Sequence, residues 1–130
     1  RALQLKPDYI EALNLKGTTL LLSGSPQAAI ESYTKVLMIE PANISALNNR
    51  AASYLSLGMY ENARDDLDKS INLDARQIDP YYNRSIALIG QGQYQPALDD
   101  IEFILSADPG HELARSQYQN LKKVMGLHEP

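Results

Sequence analysis

The chain has 130 residues, of which 44% are hydrophobic and 22% charged, and its formal net charge is −4. This length suffices for one domain with a buried core. An acidic chain lacks the basic face of nucleic-acid-binding modules, and no apolar run reaches the roughly 18 to 20 residues of a membrane span. We therefore predict no nucleic-acid partner and no integral membrane segment.

Signals for catalysis, metals and cofactors are missing along the chain. There is no cysteine, and the two histidines, His111 and His128, both lie near the C-terminus. No nucleophile is paired with a base, and no phosphate-binding loop or metal-ligand spacing occurs. The sequence therefore predicts no enzyme, no cofactor and no metal site. The lack of cysteine is as compatible with the periplasm as with the cytoplasm.

A 34-residue period organises the chain. It relates three glycines, three alanines and three large apolar residues: Gly24, Gly58 and Gly92; Ala29, Ala63 and Ala97; Leu13, Leu47 and Tyr81. Within each unit the apolar residues are three and four apart, which is the helical spacing, and the alternation typical of strands is absent. The sequence therefore predicts units of two helices joined by a short glycine-centred turn.

Turn residues predict where these helices begin and end. Each of the three glycines is expected to adopt the left-handed conformation that ends a first helix. Ser25, followed by a proline, is expected to cap the first unit's second helix. Pro41 and Pro109 close second helices, whereas unit two has Ala75 there. This difference predicts a longer second helix in unit two, followed by a late helix start at Asp79 and Pro80.

The period and its residue pattern resemble the tetratricopeptide repeat. The resemblance divides the chain into the end of a preceding repeat, three repeats, a capping helix and a tail: residues 1–9, 10–43, 44–77, 78–111, 112–126 and 127–130. Residues 49–51 (NRA) and 83–85 (NRS) are similar to a common bacterial subtype. The resemblance implies an all-α, right-handed superhelix (solenoid) of antiparallel helix pairs.

Both ends of the chain fit this interpretation. Residues 2–7 (ALQLKP) match the end of a preceding second helix, and the chain begins with Arg1 rather than methionine. We therefore expect a piece of a longer array. Near the C-terminus, Ala114, Tyr118 and Leu121 lie on one apolar face of a helix whose other face is polar, as expected for a cap.

The resemblance also implies a ligand-binding groove lined by the first helices. Its residues occupy the second, fifth, sixth, ninth, twelfth and thirteenth positions of each unit. From these positions we predict the following peptide-binding residues: Asn14, Thr18, Asn48, Asn49, Leu55, Tyr82, Asn83, Ile86, Gln117 and Asn120. The implied partner is a protein or peptide, held as an extended segment or as a helix. Tyr82 is expected to be an exposed anchor, since Tyr81 takes the core position, and Leu21 and Leu22 are expected to be partly buried.

Two known uses of such grooves can be compared. Chaperone adaptors of this family hold a C-terminal carboxylate with two lysines, two asparagines and an arginine. The corresponding residues here are Asn14, Thr18, Asn49, Asp79 and Asn83. Only Asn49 matches and Asp79 has the opposite charge, so a carboxylate clamp is not expected. The other use is an asparagine ladder on a peptide backbone, which Asn49 and Asn83 fit and Leu15 interrupts.

Other interpretations remain open. The two asparagines are as compatible with a solvated role as with binding. The array could instead serve a structural role, self-associating through its uncovered N-terminal edge, or it could be the repeat domain of a larger enzyme or secretion or assembly protein. Finally, Arg50 with Asp66 and Arg84 with Asp100 are expected to form ion pairs between adjacent helices.

Overall fold

The computed structural model describes residues 2–127, with side chains described from residue 8 onward. This part of the chain forms seven helices and no strand: α1 Ala2–Leu22, α2 Pro26–Ile39, α3 Ile44–Ser56, α4 Tyr60–Leu73, α5 Asp79–Gly90, α6 Tyr94–Ala107 and α7 Glu112–Val124. Each helix packs against its neighbours in the chain. The short connections make successive helices antiparallel, which confirms the all-α solenoid of helix pairs.

The glycine turns are as predicted. Gly24, Gly58 and Gly92 have φ angles of 87°, 72° and 75°, a conformation that strains a residue with a Cβ atom. Ser25 occupies the N-cap position of α2, but its side chain makes no capping hydrogen bond. Asn43 does cap α3, because its side-chain oxygen accepts from the Ala46 N–H at 2.9 Å.

The predicted extension of the second helix in unit two is wrong. Helix α4 ends at Leu73, 34 residues after the end of α2 and 34 before the end of α6. The side-chain amide of Gln77 explains the early end, because it donates to the Ser70 carbonyl at 3.2 Å and to the Asp74 carbonyl at 2.9 Å. The Ser70 carbonyl also accepts from the Asp74 N–H at 3.0 Å, whereas the Asp74 carbonyl is one that a longer helix would pair with a later N–H. The late start of α5 at Asp79 is confirmed.

The expected helix end near Pro7 is also wrong. Helix α1 runs without interruption from Ala2 to Leu22, so the described part of residues 1–9 is not a separate element. The segment before the proline (ALQLK) consists of strong helix formers, which favour continuation. Pro7 therefore lies inside a helix, where its ring lacks the N–H that would pair with the Leu3 carbonyl.

Equivalent residues of the second helices form the centre of each helix pair. Tyr33, Leu67 and Ile101 are 34 residues apart and are all fully buried. At the C-terminal end, Ala114 and Leu121 of α7 are buried against the last pair, and Tyr118 and Met125 pack beside them. Helix α7 therefore packs on the last helix pair with its apolar face.

Tyr33 packs against the smallest residue of α1. A Cβ atom added to Gly17 would lie 2.6 Å from Cε1 of the Tyr33 ring. The Tyr33 hydroxyl is 2.9 Å from the Thr18 hydroxyl, and the two share a hydrogen bond. Burial raises the pKa of Tyr33 above its ordinary value, and the bond to Thr18 offsets only part of this rise.

This buried phenol makes stability depend on alkaline pH. The folded pKa of Tyr33 is raised, so its contribution is complete below the unfolded pKa of about 10 and is lost as pH rises through the folded value. We expect the free energy of unfolding to fall more steeply above about pH 10 in the parent than in Tyr33→Phe. Urea titrations of both proteins across this range measure the difference. Parallel pH profiles would contradict the prediction.

Both predicted ion pairs are confirmed, and each has a third member. Arg50 on α3 donates to both oxygens of Asp66 on α4 at 2.7 and 2.8 Å, and to the Thr34 hydroxyl on α2 at 3.1 Å. Its bidentate geometry is the strongest form of such a pair. The hydrogen bonds that Arg50 donates to Asp66 raise the pKa of Arg50. Arg50 thus fastens its own helix pair and joins it to the preceding one.

Arg84 repeats this arrangement one unit later with a second carboxylate. It donates to the two oxygens of Asp100 on α6 at 2.7 and 2.9 Å, and to Asp68 on α4 at 3.0 Å. Both carboxylates raise the pKa of Arg84, the Asp100 hydrogen bond most. The side chain of Asp100 is only 7% exposed, so its charge depends on this one guanidinium for compensation.

Candidate functional site

The first helices of the pairs lie side by side. Helix α1 contacts α3, and α3 contacts α5, whereas the second helices α2, α4 and α6 make no comparable contact with one another in the described chain. The array is therefore more compact along the face of the first helices, as on the inner side of a curved solenoid. We call this face the groove. It consists of the positions predicted above, counted from residues 10, 44, 78 and 112.

An amide row runs along the sixth positions of the groove and consists of Asn49, Asn83 and Gln117. All three side chains are half-buried. Asn49 makes one long hydrogen bond, 3.4 Å from its amide nitrogen to the Ser45 hydroxyl. Asn83 and Gln117 make no side-chain hydrogen bond with any described residue. The row therefore presents donors and acceptors that the fold leaves almost unused.

Asn48, in contrast, is used by the fold. Its amide nitrogen donates to the Gln77 side-chain oxygen at 2.8 Å. Gln77 cannot turn its amide around, because its own nitrogen donates to carbonyls at the end of α4. Asn48 thus joins α3 to the connection between α4 and α5. Its side-chain oxygen is buried and has no hydrogen-bond partner among the described residues. The side-chain N–H of Asn48 therefore holds α3 in place and is not offered to a ligand.

Two groove residues of α1 also face the protein's own packing. The Thr18 hydroxyl bonds to Tyr33 of α2. The side-chain oxygen of Asn14 is buried with no hydrogen-bond partner among described residues, as that of Asn48 is. Asn14 and Asn48 occupy the fifth positions of successive units, so the two unpaired oxygens repeat with the 34-residue period.

The apolar groove residues differ in exposure from expectation. Leu55 and Ile86 are half-buried. Tyr82 is not a free anchor, because it packs against the core and its ring centroid lies 6.3 Å from that of His111. Leu22, the last residue of α1, is 83% exposed, so its expected partial burial is wrong. Leu21 is half-buried, as expected.

The C-terminal part of the groove comes from α7. Asn120 is exposed there, and Lys123 provides a positive charge at the twelfth position. His111 precedes this helix as its N-cap, because its Nδ1 accepts from the Ala114 N–H at 3.1 Å. This histidine therefore has a structural role at the start of α7. His128 lies outside the described residues.

On α1, α3 and α5 the groove carries only negative charge. Glu11 and Asp79 occupy second positions and are exposed. No groove position of α1, α3 or α5 carries lysine, arginine or histidine.

In the described chain, no group of three histidine, aspartate or glutamate side chains is placed to hold a metal ion. Within residues 2–127, no helix combines the length and apolar character that crossing a membrane requires.

Comparison with solved structures places this architecture among repeat domains. The second TPR domain of human RPAP3, in complex with the HSP70 peptide SGPTIEEVD, is similar with a TM-score of 0.82 and 27% identity, covering 92% of this chain and 97% of that chain. The first TPR of Spaghetti (RPAP3), bound to the HSP90 peptide SRMEEVD, gives 0.88 and 24%, covering 92% and 94%. A crystal structure of MamA gives 0.87 and 25%, covering 97% and 74%.

Sequence comparison agrees with the structural one. No curated protein matches the chain significantly. The family model of the tetratricopeptide repeat matches residues 10–43 and 44–77, which together are more than half of the chain. The match falls on the helix pairs α1 with α2 and α3 with α4. The chain belongs to the tetratricopeptide repeat family.

Proposed function

We propose that the chain is a non-catalytic protein-interaction module that binds an extended peptide in its groove. The observation that carries this proposal is the amide row of Asn49, Asn83 and Gln117, which are 34 residues apart and have almost unused hydrogen-bonding groups. We propose that the chain contains three repeats, 10–43, 44–77 and 78–111, and that a capping helix over 112–126 follows them.

The chemistry of the amide row suits a peptide backbone. An asparagine side chain has one acceptor oxygen and two N–H donors, so it can pair with both the N–H and the C=O of an extended residue. An extended peptide has no internal hydrogen bonds of its own and gains these pairs on binding. Leu55 and Ile86 lie beside the row, half-buried, and can contact apolar side chains of the peptide.

The groove differs from the one needed for an acidic C-terminal tail. Two structural relatives are bound to peptides that end in EEVD. A terminal carboxylate requires cations, yet the clamp positions of this chain hold neutral residues and one acid: Asn14, Thr18, Asn49, Asp79 and Asn83. We therefore propose recognition along the peptide backbone rather than at its C-terminus.

Replacing Asn49 and Asn83 together by alanine tests this proposal. The probe is a set of displayed random peptides of about ten residues, a length that spans four helices 8–10 Å apart, selected for binding to the parent domain. We expect the double variant to bind the selected peptides at least about tenfold more weakly, since two hydrogen-bonding side chains contribute roughly 1 kcal/mol each. Fluorescence anisotropy with labelled peptides measures this loss.

The matched control is Asn62→Ala with Asn72→Ala, two exposed asparagines on α4 that lie outside the groove. Its affinity should equal that of the parent. Circular dichroism and urea unfolding should show that both double variants remain folded. Equal affinity of the Asn49 and Asn83 variant and the parent would rule out the amide row as the binding element.

A further inference from the structure

The groove combines exposed acids with exposed leucines. Glu11 and Asp79 occupy the second positions of their units; Glu11 lies in the middle of α1, and Asp79 is the first residue of α5. Leu15 and Leu22 on α1 are 67% and 83% exposed. Large side chains with this exposure on a concave face indicate a surface that is covered by a partner.

Among the described residues, no cation forms an ion pair with either acid. Arg50 and Arg84 lie at seventh positions and are held by Asp66 and Asp100 of the second helices. Arg76, in the connection before α5, pairs with Asp74 at 3.1 Å. Neither Glu11 nor Asp79 forms an ion pair in the described chain. The negative charge of the groove is therefore available to a ligand.

From this pattern we infer that the groove takes an extended segment that is both apolar and basic, and that lies within a chain rather than at its acidic C-terminus. The inference rests on the proposed function, since it specifies which peptides the groove prefers. Charge complementarity selects lysine or arginine opposite the acids, and the leucines select apolar side chains. An acidic peptide meets like charge at both positions and is rejected.

The distance between Glu11 and Asp79 also determines how far apart the basic residues of the bound peptide must be. Glu11 and Asp79 are on α1 and α5, which are separated by α3, so they are about 16–20 Å apart across the helices. An extended peptide advances about 3.3 Å per residue, so basic residues about five or six positions apart face both acids. Lys123, farther along on α7, disfavours a third basic residue at that end.

The test is the composition of peptides selected by the folded chain. Random peptides of about ten residues are displayed with both ends blocked, so that no terminal carboxylate contributes. We expect selected sequences to be enriched in lysine and arginine at the stated spacing, with apolar residues between, and depleted in aspartate and glutamate. The acidic peptide SGPTIEEVD, bound by a structural relative, should bind at least about tenfold more weakly than the selected peptides.

Charge variants show whether the two acids cause the preference. Glu11→Gln with Asp79→Asn should reduce the affinity for the selected basic peptides at least about tenfold, and Glu11→Lys with Asp79→Lys should favour acidic peptides instead. The control, Glu31→Lys with Asp65→Lys, changes net charge equally on exposed residues of α2 and α4, so it separates local pairing from long-range attraction. It should leave the preference unchanged.

Each result decides between the inference and the proposed function. Selected peptides with no charge bias, or with an acidic bias, overturn the inference, and the proposed function stands if the Asn49 and Asn83 variant still weakens their binding. A basic bias that depends on Glu11 and Asp79 but not on the asparagines supports the inference and removes the amide row from the proposed function. Failure to select any peptide overturns both.

Discussion

Replacing Arg84 by alanine should lower the free energy of unfolding by about 3–5 kcal/mol, because it leaves a buried carboxylate without its counter-charge. The Asp100 side chain is 7% exposed, and both of its oxygens accept from Arg84. The same substitution also releases Asp68 on α4, so one change loosens a helix pair and its junction with the preceding pair. Urea unfolding at neutral pH measures the loss.

Two further variants test whether the uncompensated charge of Asp100 causes the loss of stability. Arg76→Ala breaks an ion pair that is exposed to solvent, and it should leave stability unchanged within error. Arg84→Ala with Asp100→Ala should cost less than the sum of the two single substitutions, because the double variant contains no uncompensated buried charge. A loss below about 1 kcal/mol for Arg84→Ala would show that the pair behaves as a surface ion pair.

Gly17→Ala should destabilise the protein by about 1–3 kcal/mol, the reverse of the usual effect of this substitution in a helix. Alanine normally stabilises a helix interior by about 1 kcal/mol relative to glycine. Here the new methyl group would lie 2.6 Å from the ring of Tyr33, which is fully buried and cannot swing into solvent. The steric cost therefore exceeds the gain in helix propensity.

The Tyr33→Leu background tests this steric explanation. Leucine removes the ring atoms nearest to Gly17, so Gly17→Ala should there become neutral or stabilising. Free energies of unfolding for the four proteins of the cycle give the coupling between the two positions. Equal costs of Gly17→Ala in both backgrounds would place the strain elsewhere.

Much of the fold could be predicted because the 34-residue period relates both the turn residues and the buried residues of successive units. The glycine turns and the buried column of Tyr33, Leu67 and Ile101 both follow from it. The wrong predictions concern helix ends. Proline and alanine are weak indicators there, because side-chain bonds such as those of Gln77 decide where α4 ends, and these depend on tertiary contacts.

The sequence predicts candidate groove residues from their positions in the repeat, but it does not predict their hydrogen bonds. Bonds across helices decide which of these side chains are free. The side chains of Asn48 and Thr18 form hydrogen bonds with Gln77 and Tyr33. The side chain of Asn83 forms none with any described residue. One available signal went unused: Asp68 and Asp100 lie 16 residues before and after Arg84, a symmetry that indicates a three-membered network.

The difference between Thr34 and Asp68 gives the two junctions between successive helix pairs unequal stability. These residues occupy equivalent positions, but Thr34 gives Arg50 a neutral hydrogen bond, whereas Asp68 gives Arg84 an ionic one. In a linear array each junction opens separately, and the weaker one opens first. Local unfolding should therefore start between the first and second helix pairs, so that α1 and α2 exchange their amide hydrogens while the remaining pairs stay closed.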